Sequence, residues 1–385
     1  MRTIGAVTVG RSDYGIYRPV LQRIRADGSL RLVLFVGGAH LSPELGFTVR
    51  EIEGDGFTDL ERVEHAAEDD APLAAAQSMG RATIGFAAAF SRRRPDIVLV
   101  LGDRFEMHAA ASAAVPLRIP LAHIHGGESS EGAFDEALRH SITKLSHLHF
   151  AATEAYARRI VRMGEEPWRV HVTGAPALDQ LRDFQPLADE ELAARFGVDL
   201  SRATLLVTFH PPTLEPDGAR VCELLAAVAD SGFAAVATYP NADPGYRDVL
   251  EPLRERADAD PAFRLVPNLG TRAYFTLLGR CAAMVGNSSS GIVEAPWFAL
   301  PVVNVGSRQD GRLRAANVID CPPERDAILA AIRRATSESF RERLRGLENP
   351  YGDGRAAERI VEALKETPLE GLLVKRFHDG ESHAP

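Results

Sequence analysis

The residue types best suited to acid-base chemistry follow two apolar segments near the middle of the chain. Residues 97–101 form a β-branched run that ends in the sequence GDR at 102–104, and residues 121–124 form a second run that ends in HGGE at 125–128. The first run has no polar alternation, which is typical of a strand buried on both faces of a parallel sheet. Residues 105–115 have helical spacing, and the second run is predicted as a further apolar strand. Ligands of parallel sheets bind beyond the carboxyl ends of the strands, so the polar groups that follow these two strands should face one crevice. The side chains expected there are Asp103, Arg104, His125 and Glu128.

Further charged residues follow at helical spacing from residue 135. Asp135 and Arg139 are four residues apart, so they should share one face of a helix. A group of histidines also lies in this region, and with Asp103 and Asp135 it leaves a hydrolytic metal site open as an alternative. These histidines match no metal-ligand spacing, and buried neutral histidines are the simpler interpretation. We therefore predict neither a metal nor another cofactor. The histidines are His123, His125, His140, His147 and His149.

A small polar turn at residues 285–291, VGNSSSG, is a candidate anion site. It lies at a predicted strand end and before a predicted helix through Glu294, where exposed N–H groups and hydroxyls bind phosphate. An ordinary serine N-cap is the alternative. Glu294 follows the serines by about one turn, so it could accept hydrogen bonds from a ribose diol. Four arginines in loops after predicted strands also suggest an anionic ligand: Arg11, Arg104, Arg308 and Arg312.

Composition excludes several classes of protein. The formal net charge is -9, whereas sequence-independent nucleic-acid binders need an excess of Lys and Arg. Three well-separated cysteines form neither a disulfide framework nor a metal knuckle, so we expect buried thiols in a reducing cytoplasm. The first ten residues are too quickly polar for a signal peptide, and no apolar run reaches the ~18 residues of a membrane span. The chain also lacks the motifs of dinucleotide enzymes, phosphate-loop NTPases and serine hydrolases.

Strands and helices alternate along the 385 residues, which predicts an α/β fold of two doubly wound, Rossmann-like domains with a cleft between them. We expect an N-terminal domain at 1–175, a C-terminal domain at 176–365, and a C-terminal helix and tail at 366–385. Near the start we predict a strand at 3–9, a loop at 10–14 and a helix at 17–25. A mobile segment should extend to Pro72, and the terminal helix should span 369–377.

Seven motifs occur in order over nearly the whole chain and are together far more specific than any one alone. They are GRSDYG at 10–15, LGDRFE at 101–106, HIHGGE at 123–128, FDEALRHSITKLSHLHF at 134–150, FHPPT at 209–213, GNSSSGIVEAP at 286–296 and GSRQDGR at 306–312. The sequence thereby resembles the hydrolysing UDP-N-acetylglucosamine 2-epimerases of sialic-acid and related nonulosonic-acid synthesis. This resemblance implies a fold like that of GT-B glycosyltransferases. It also implies that the second domain holds the nucleotide and the first domain faces the sugar.

The resemblance also implies roles for individual residues. The acid-base candidates are Asp103, Glu128 and Asp135, and His125 stands where related non-hydrolysing enzymes carry glutamate, so it is a further candidate for proton transfer. His210 and Arg104 are implied near the diphosphate, with Arg11 and Arg308 adding positive charge. The implied nucleotide contacts are Ser288 and Ser289 to phosphate, Glu294 to ribose, and Asn241.

The implied reaction converts UDP-N-acetylglucosamine, or a diacetamido-trideoxy analogue, to UDP and a free 2-epimer such as N-acetylmannosamine. UDP elimination gives a 2-acetamidoglucal, to which water then adds. Three alternatives stay open: a non-hydrolysing 2-epimerase, a GT-B glycosyltransferase, and a nucleotide-sugar binding module without catalysis. We expect a cytoplasmic homo-oligomer, a dimer or a tetramer, that binds neither nucleic acid nor membrane.

Overall fold

The chain divides into two compact units. The computed structural model describes residues 1–43, 46–65, 72–131, 134–211, 219–240 and 245–380. The first unit comprises Met1–Glu128, Asp135–Gln180 and Tyr351–Pro385. The second unit comprises Ser129–Phe134 and Leu181–Pro350.

Strands and helices alternate through both units. The strands are β1 (Arg2–Thr8), β2 (Leu30–Gly37), β3 (Leu60–Val63), β4 (Ile97–Leu101), β5 (Leu121–Ile124), β6 (Leu148–Ala151), β7 (Val170–Val172), β8 (Thr204–Thr208), β9 (Ala234–Thr238), β10 (Phe263–Val266), β11 (Ala283–Gly286), β12 (Val302–Val305) and β13 (Val318–Cys321). The helices are α1 (Arg11–Ala26), α2 (Val49–Gly54), α3 (Pro72–Arg93), α4 (Phe105–Ala114), α5 (Asp135–Leu145), α6 (Glu154–Arg162), α7 (Asp189–Phe196), α8 (Ala219–Ser231), α9 (Tyr246–Ala259), α10 (Gly270–Arg280), α11 (Ser290–Val293), α12 (Arg325–Ala335), α13 (Glu338–Glu342) and α14 (Ala356–Glu366). Short 3-10 helices span Gly38–Leu41, Pro167–Arg169, Pro176–Leu181 and Ala295–Phe298. No helix in the described ranges combines the length and the apolar character that crossing a membrane requires.

The first unit is built on a seven-stranded parallel sheet with the order β3-β2-β1-β4-β5-β6-β7. Its central strand β4 has the sequence IVLVL, and every residue of it is buried. Helices on both faces of a parallel sheet explain this continuous apolar run. The strand order reverses between β1 and β4, and the crevice beyond the carboxyl ends of those two strands is the expected ligand position.

The second unit repeats this topology with a six-stranded parallel sheet in the order β10-β9-β8-β11-β12-β13. Its order reverses between β8 and β11, so the carboxyl ends of these strands form a second expected ligand position. Both units are therefore doubly wound and Rossmann-like, and the prediction of a two-domain α/β fold is confirmed.

Two predictions in the first sixty-five residues were wrong. The segment 10–14 is not a loop, because α1 already begins at Arg11 and Tyr14 N donates to Gly10 O at 3.0 Å. The segment predicted as mobile contains α2 and β3, and β3 pairs in parallel with β2. A four-residue edge strand has too few residues to produce a clear periodic pattern.

The C-terminal part of the chain also differs from the prediction. Helix α14 packs against α1 in the first unit, and Asp179 accepts hydrogen bonds from Ala356 N and Ala357 N at its first turn, so the second unit ends at Pro350 and not at 365. Residues 369–377 form a turn followed by irregular chain instead of a helix. The buried Arg169 binds the carbonyl groups of Leu372 and Val374, at 3.0 and 2.7 Å, which a helix would use internally.

Several histidines lie in the interior as neutral groups. Burial lowers the pKa of His40 to about 4, that of His123 to about 3 and that of His147 to about 4. Burial also lowers the pKa of His149 and of His210. An unfolded histidine has a pKa of about 6.5, so the unfolded chain binds more protons than the native chain below that pH.

These lowered pKa values predict that the protein loses stability as the pH falls from about 6.5 to about 4. For His147, the stabilising contribution is fully present above the unfolded pKa and is lost as the pH falls toward the folded pKa. His147→Gln should therefore flatten the dependence by up to about 1.4 kcal/mol per pH unit. Urea unfolding of both proteins between pH 7.5 and pH 5 measures this difference. Parallel stability curves would contradict a neutral buried His147.

Candidate active site

The carboxyl end of β4 presents a carboxylate to a buried arginine. Gly102 has φ +73°, a left-handed conformation that favours glycine, and it turns the chain so that Asp103 follows the strand. Asp103 Oδ2 accepts a hydrogen bond from Arg139 on α5. Arg139 is only 1% exposed and also donates to Glu136 Oε2 at 2.7 Å.

Electrostatics keep Arg139 charged despite its burial. Burial alone would lower the pKa of Arg139, but the negative charges of Asp103 and Glu128 raise it above its usual value. A buried guanidinium is stable only when carboxylates and hydrogen bonds replace the lost water. Arg139 therefore holds the carboxylates that follow β4 and β5 near one positive charge.

The loop after β5 brings an imidazole and a second carboxylate together. Glu128 is 2% exposed, and its Oε1 lies 2.5 Å from His125 Nδ1. His125 adopts φ +64°, which costs a non-glycine residue roughly 1–3 kcal/mol. Such a conformation persists only where the surroundings enforce it, and here Gly127 at φ +73° packs so tightly on Tyr156 O that a Cβ would lie 2.5 Å from it.

The remaining predicted acid lies on α5. Asp135 is the first residue of this helix and is half-buried, one turn before Arg139, as the predicted helical spacing required. Glu136, the next residue, accepts from both Arg139 and His140, the latter at 2.9 Å. The structure thus places Asp103, Glu128 and Asp135 at the carboxyl ends of β4 and β5 and on the helix that contacts them.

Arg104 is paired with a buried carboxylate instead of being a solvated loop charge. It donates to both oxygens of Glu106, at 3.1 and 3.2 Å. Its positive charge also acts on Asp13, whose pKa burial raises to about 6 against the effects of Val9 N–H and Arg104. Arg11 is exposed at the first position of α1. Both predicted arginines therefore lie where the strand order reverses.

The switch point of the second unit is organised by one asparagine. Asn287 is 2% exposed, and its side chain binds both main-chain groups of His210, with Oδ1 accepting from N at 2.7 Å and Nδ2 donating to O at 2.8 Å. Asn287 O accepts from Arg308 at 3.3 Å and from Gln309 Nε2 at 2.8 Å. These contacts bring together three chain segments: those that follow β8, β11 and β12.

His210 is neutral in this environment. Burial, and then the positive charge of Arg308, hold the pKa of His210 well below its usual value. A neutral imidazole offers one N–H donor and one acceptor, so it can donate a hydrogen bond to an anion. Asn241, the other predicted nucleotide contact of this unit, lies outside the described residues.

The helix that follows the serine turn is shorter than predicted. Gly286 has φ +144° and packs on Thr208, whose carbonyl oxygen would lie 1.9 Å from a Cβ. Helix α11 has only four residues, and Glu294 follows its last residue instead of lying within it. Ser288 Oγ accepts from Ser290 N at 3.3 Å, whereas Ser289, at the N-cap, makes no side-chain capping bond. The predicted helix through Glu294 is therefore a single turn.

The metal alternative finds no support in the described ranges, where no group of three or more His, Cys, Asp or Glu residues could hold an ion. The clustered histidines have other partners. His123 Nε2 binds Gly102 O at 2.7 Å, and His149 Nε2 binds Glu165 at 3.0 Å. Strand β5 ends at Ile124, so His123 lies on the strand, whereas His125 lies after it with a left-handed backbone.

Sequence reasoning missed the structural importance of three site residues. Arg139 was noted only for its spacing from Asp135, and nothing in its local sequence signals that it is buried. Asn287 lay inside a recognised motif without a role of its own, although it is the first polar residue after β11. Asp13 was placed in a loop, whereas it lies in the first turn of α1 and accepts from Val9 N at 2.9 Å.

Comparison with known proteins identifies the family. The family model for UDP-N-acetylglucosamine 2-epimerase matches residues 22–365. The chain belongs to this family. The prediction of an enzyme of this family from the seven motifs is therefore confirmed.

Individual relatives cover almost the whole chain. It is 38% identical to the UDP-N,N'-diacetylbacillosamine 2-epimerase (hydrolyzing) of Legionella pneumophila, over 98% of this chain and 99% of that one. It is 35% identical to the GDP/UDP-N,N'-diacetylbacillosamine 2-epimerase (hydrolyzing) of Campylobacter jejuni, over the same shares. The structure of UDP-GlcNAc 2-epimerase from Neisseria meningitidis bound to UDP-GlcNAc has the same fold, with a TM-score of 0.80, 19% identity and coverage of 95% and 100%.

The contacts of Asn287 lead to a prediction about stability. Asn287→Ala would remove the side-chain amide that binds His210 N and O, and each buried group left unsatisfied costs roughly 1–3 kcal/mol. The variant should therefore unfold at lower denaturant concentration and bind UDP more weakly, because the loops after β8 and β11 lose their connection. Denaturant titration and calorimetry with UDP measure the two effects. Unchanged UDP affinity in the folded variant would contradict the role of Asn287.

Proposed function

We propose that the protein is a hydrolysing 2-epimerase that converts a UDP-linked 2-acetamido sugar to UDP and the free 2-epimer. The proton on C2 is not acidified by a carbonyl group, so its removal must accompany the departure of UDP from C1. This elimination gives a 2-acetamidoglucal. Water then adds its hydroxyl to C1 and its proton to C2 from the opposite face, which inverts C2.

The observation that carries the proposal is the set of carboxylates around the buried Arg139. Asp103 accepts from this arginine, and the charge of Glu128 acts on it. Elimination and hydration each need a base and an acid, and positioned carboxyl groups of this kind perform both tasks. We assign Asp103, Glu128 and Asp135 to these proton transfers.

His125 shares the proton transfers in this proposal. Its Nδ1 lies 2.5 Å from Glu128 Oε1, so a proton can pass between the two side chains without a change in the backbone. The imidazole and the carboxyl group then act as one pair, with Glu128 fixing the orientation of the ring.

We assign nucleotide binding to the second unit. Ser288, Ser289 and Arg308 bind the diphosphate, and Glu294 accepts from the ribose hydroxyls. The neutral His210 donates a hydrogen bond to the leaving phosphate, which is the role that its lowered pKa permits. The sequence resemblance also implies supporting positive charge from Arg11 and Arg104 and a nucleotide contact from Asn241.

The identity of the sugar in the substrate is a separate part of the proposal. Relatives of 38% and 35% identity are named as enzymes for UDP-N,N'-diacetylbacillosamine, which favours a diacetamido-trideoxy sugar. The family name points to UDP-N-acetylglucosamine instead, which would give N-acetylmannosamine for sialic-acid synthesis. We propose the diacetamido-trideoxy substrate as the preferred one of the two.

Product analysis tests both parts of this proposal. Each nucleotide sugar is incubated with the protein alone, and proton NMR follows UDP and the sugar product. The proposal predicts free manno-configured sugar in both cases, with a higher kcat/KM for the diacetamido-trideoxy substrate. A UDP-linked epimer as sole product would indicate the non-hydrolysing reaction, turnover only after addition of an acceptor would indicate a glycosyltransferase, and binding without turnover a binding module.

Asp103→Asn should separate catalysis from nucleotide binding. The substitution removes a proton-transfer group while keeping the shape of the side chain, so kcat should fall at least about 100-fold. UDP affinity should stay within about twofold, because we assign no nucleotide contact to Asp103 and most nucleotide contacts to the other unit. Steady-state kinetics and calorimetry measure the two quantities. A loss of UDP affinity that equals the loss of rate would exclude this role for Asp103.

Combined replacement of Ser289 and Glu294 by Ala should have the converse effect. Loss of a phosphate contact and a ribose contact should weaken UDP binding by roughly 2–3 kcal/mol. Calorimetry with UDP measures the change, and Ser337→Ala, a helix-capping serine of α13, is the matched control. Equal UDP affinity in the double variant and the control would refute the assigned nucleotide position.

A further inference from the structure

His123 lies next to the loops that carry Asp103 and Glu128, but it is not part of either loop. It is fully buried on β5, and its Nε2 lies 2.7 Å from the carbonyl oxygen of Gly102, the residue before Asp103. A carbonyl group only accepts hydrogen bonds, so Nε2 must carry the proton. Burial lowers the pKa of His123 to about 3, so Nδ1 is an unprotonated acceptor at neutral pH.

The other ring nitrogen of His123 lies close to helix α5, which carries Asp135 and Arg139. His123 Nδ1 lies 3.2 Å from Thr143 Oγ1, and Thr143 is one turn after Arg139 on α5. The single hydroxyl proton of Thr143 has two acceptors within reach, His123 Nδ1 and, at 3.0 Å, Arg139 O. One imidazole therefore links the end of β4 to the helix whose arginine binds Asp103.

A third segment rests on the same pair of side chains. A Cβ at Gly126 would lie 2.9 Å from His123 Nδ1 and 3.1 Å from Thr143 Oγ1. The loop that carries His125 and Glu128 thus packs its backbone directly on the imidazole and the hydroxyl. A larger residue at position 126 would have to lift this loop.

We propose that His123 and Thr143 are positioning residues for the reaction, which together set the relative placement of Asp103, Glu128 and Arg139. The two side chains contact the chain next to each of these three residues. The contacts are with Gly102 before Asp103, with Gly126 before Glu128, and with the helical turn that carries Arg139. Their role differs from simple core packing, because the two ring nitrogens of His123 and the hydroxyl of Thr143 contact three separate chain segments. This inference rests on the proposed function, since it concerns the geometry of the groups that transfer protons.

Two pairs of variants test the proposal. His123→Leu and Thr143→Val remove the polar contacts at similar volume, whereas His123→Gln and Thr143→Ser keep a donor to Gly102 O and a hydroxyl. A displacement of about 1 Å can lower a rate about 100-fold, so kcat should fall about 10- to 100-fold in the first pair. KM and UDP affinity should change less than about twofold, and the conservative pair should recover most of the rate.

His149→Leu is the matched control. His149 is fully buried on β6, opposite His123 in the strand pairing, but it binds Glu165 instead of a segment of the site. Its replacement should lower stability as much as His123→Leu without a comparable fall in kcat. Amide hydrogen exchange gives a second readout that does not depend on turnover: residues 102–106 and 125–128 should exchange faster in His123→Leu and in Thr143→Val, but not in the control.

The outcomes separate this inference from the proposed function. A wild-type protein that releases no UDP from either sugar nucleotide would refute the proposed function, and the exchange data would still decide whether His123 and Thr143 hold the two segments. Equal kcat losses in His123→Leu and His149→Leu would overturn the positioning role. Unchanged exchange at 102–106 and 125–128 in folded Thr143→Val would overturn it as well.

Discussion

The first unit is organised by the need of one buried guanidinium for negative partners. Arg139 is almost completely buried, and burying a charge without compensation costs several kcal/mol. Asp103 after β4, Glu128 after β5 and Glu136 on α5 together supply this compensation. The same requirement that stabilises the fold thus gathers carboxyl groups from three segments, and we infer that the enzyme uses this arrangement for proton transfer.

The second unit has the same topology as the first but different residues where its strand order reverses. Both sheets reverse their strand order after the first strand of the unit, and polar residues follow the strands on each side of that reversal. The first unit places buried carboxylates there. The second instead places there small hydroxyl residues, a neutral imidazole and Asn287, whose side chain binds both main-chain groups of His210. In the function that we propose, the first unit supplies the acid-base groups and the second unit supplies most of the anion-binding groups.

Local pattern and long-range contact explain what the sequence could predict. The bounds of β5, β9, β10 and β12 follow directly from short apolar runs ended by glycine, proline or polar residues. Strand β3 and the irregular segment 369–377 depend instead on partners distant in sequence, which are β2 and Arg169 respectively. For the same reason, the positions of Asp103, Glu128 and Asp135 were predictable, whereas the burial of Arg139 and the role of His123 were not.

The central claim is that the bond from C1 to the diphosphate breaks by elimination across C1 and C2. Turnover in water that carries both deuterium and oxygen-18 tests this claim. Mass spectrometry follows the oxygen label in UDP, and NMR follows deuterium in the released sugar. The account predicts deuterium at C2 of the sugar and no heavy oxygen in UDP, because the phosphate keeps its bridging oxygen. Protium at C2, or heavy oxygen in the terminal phosphate of UDP, would contradict it.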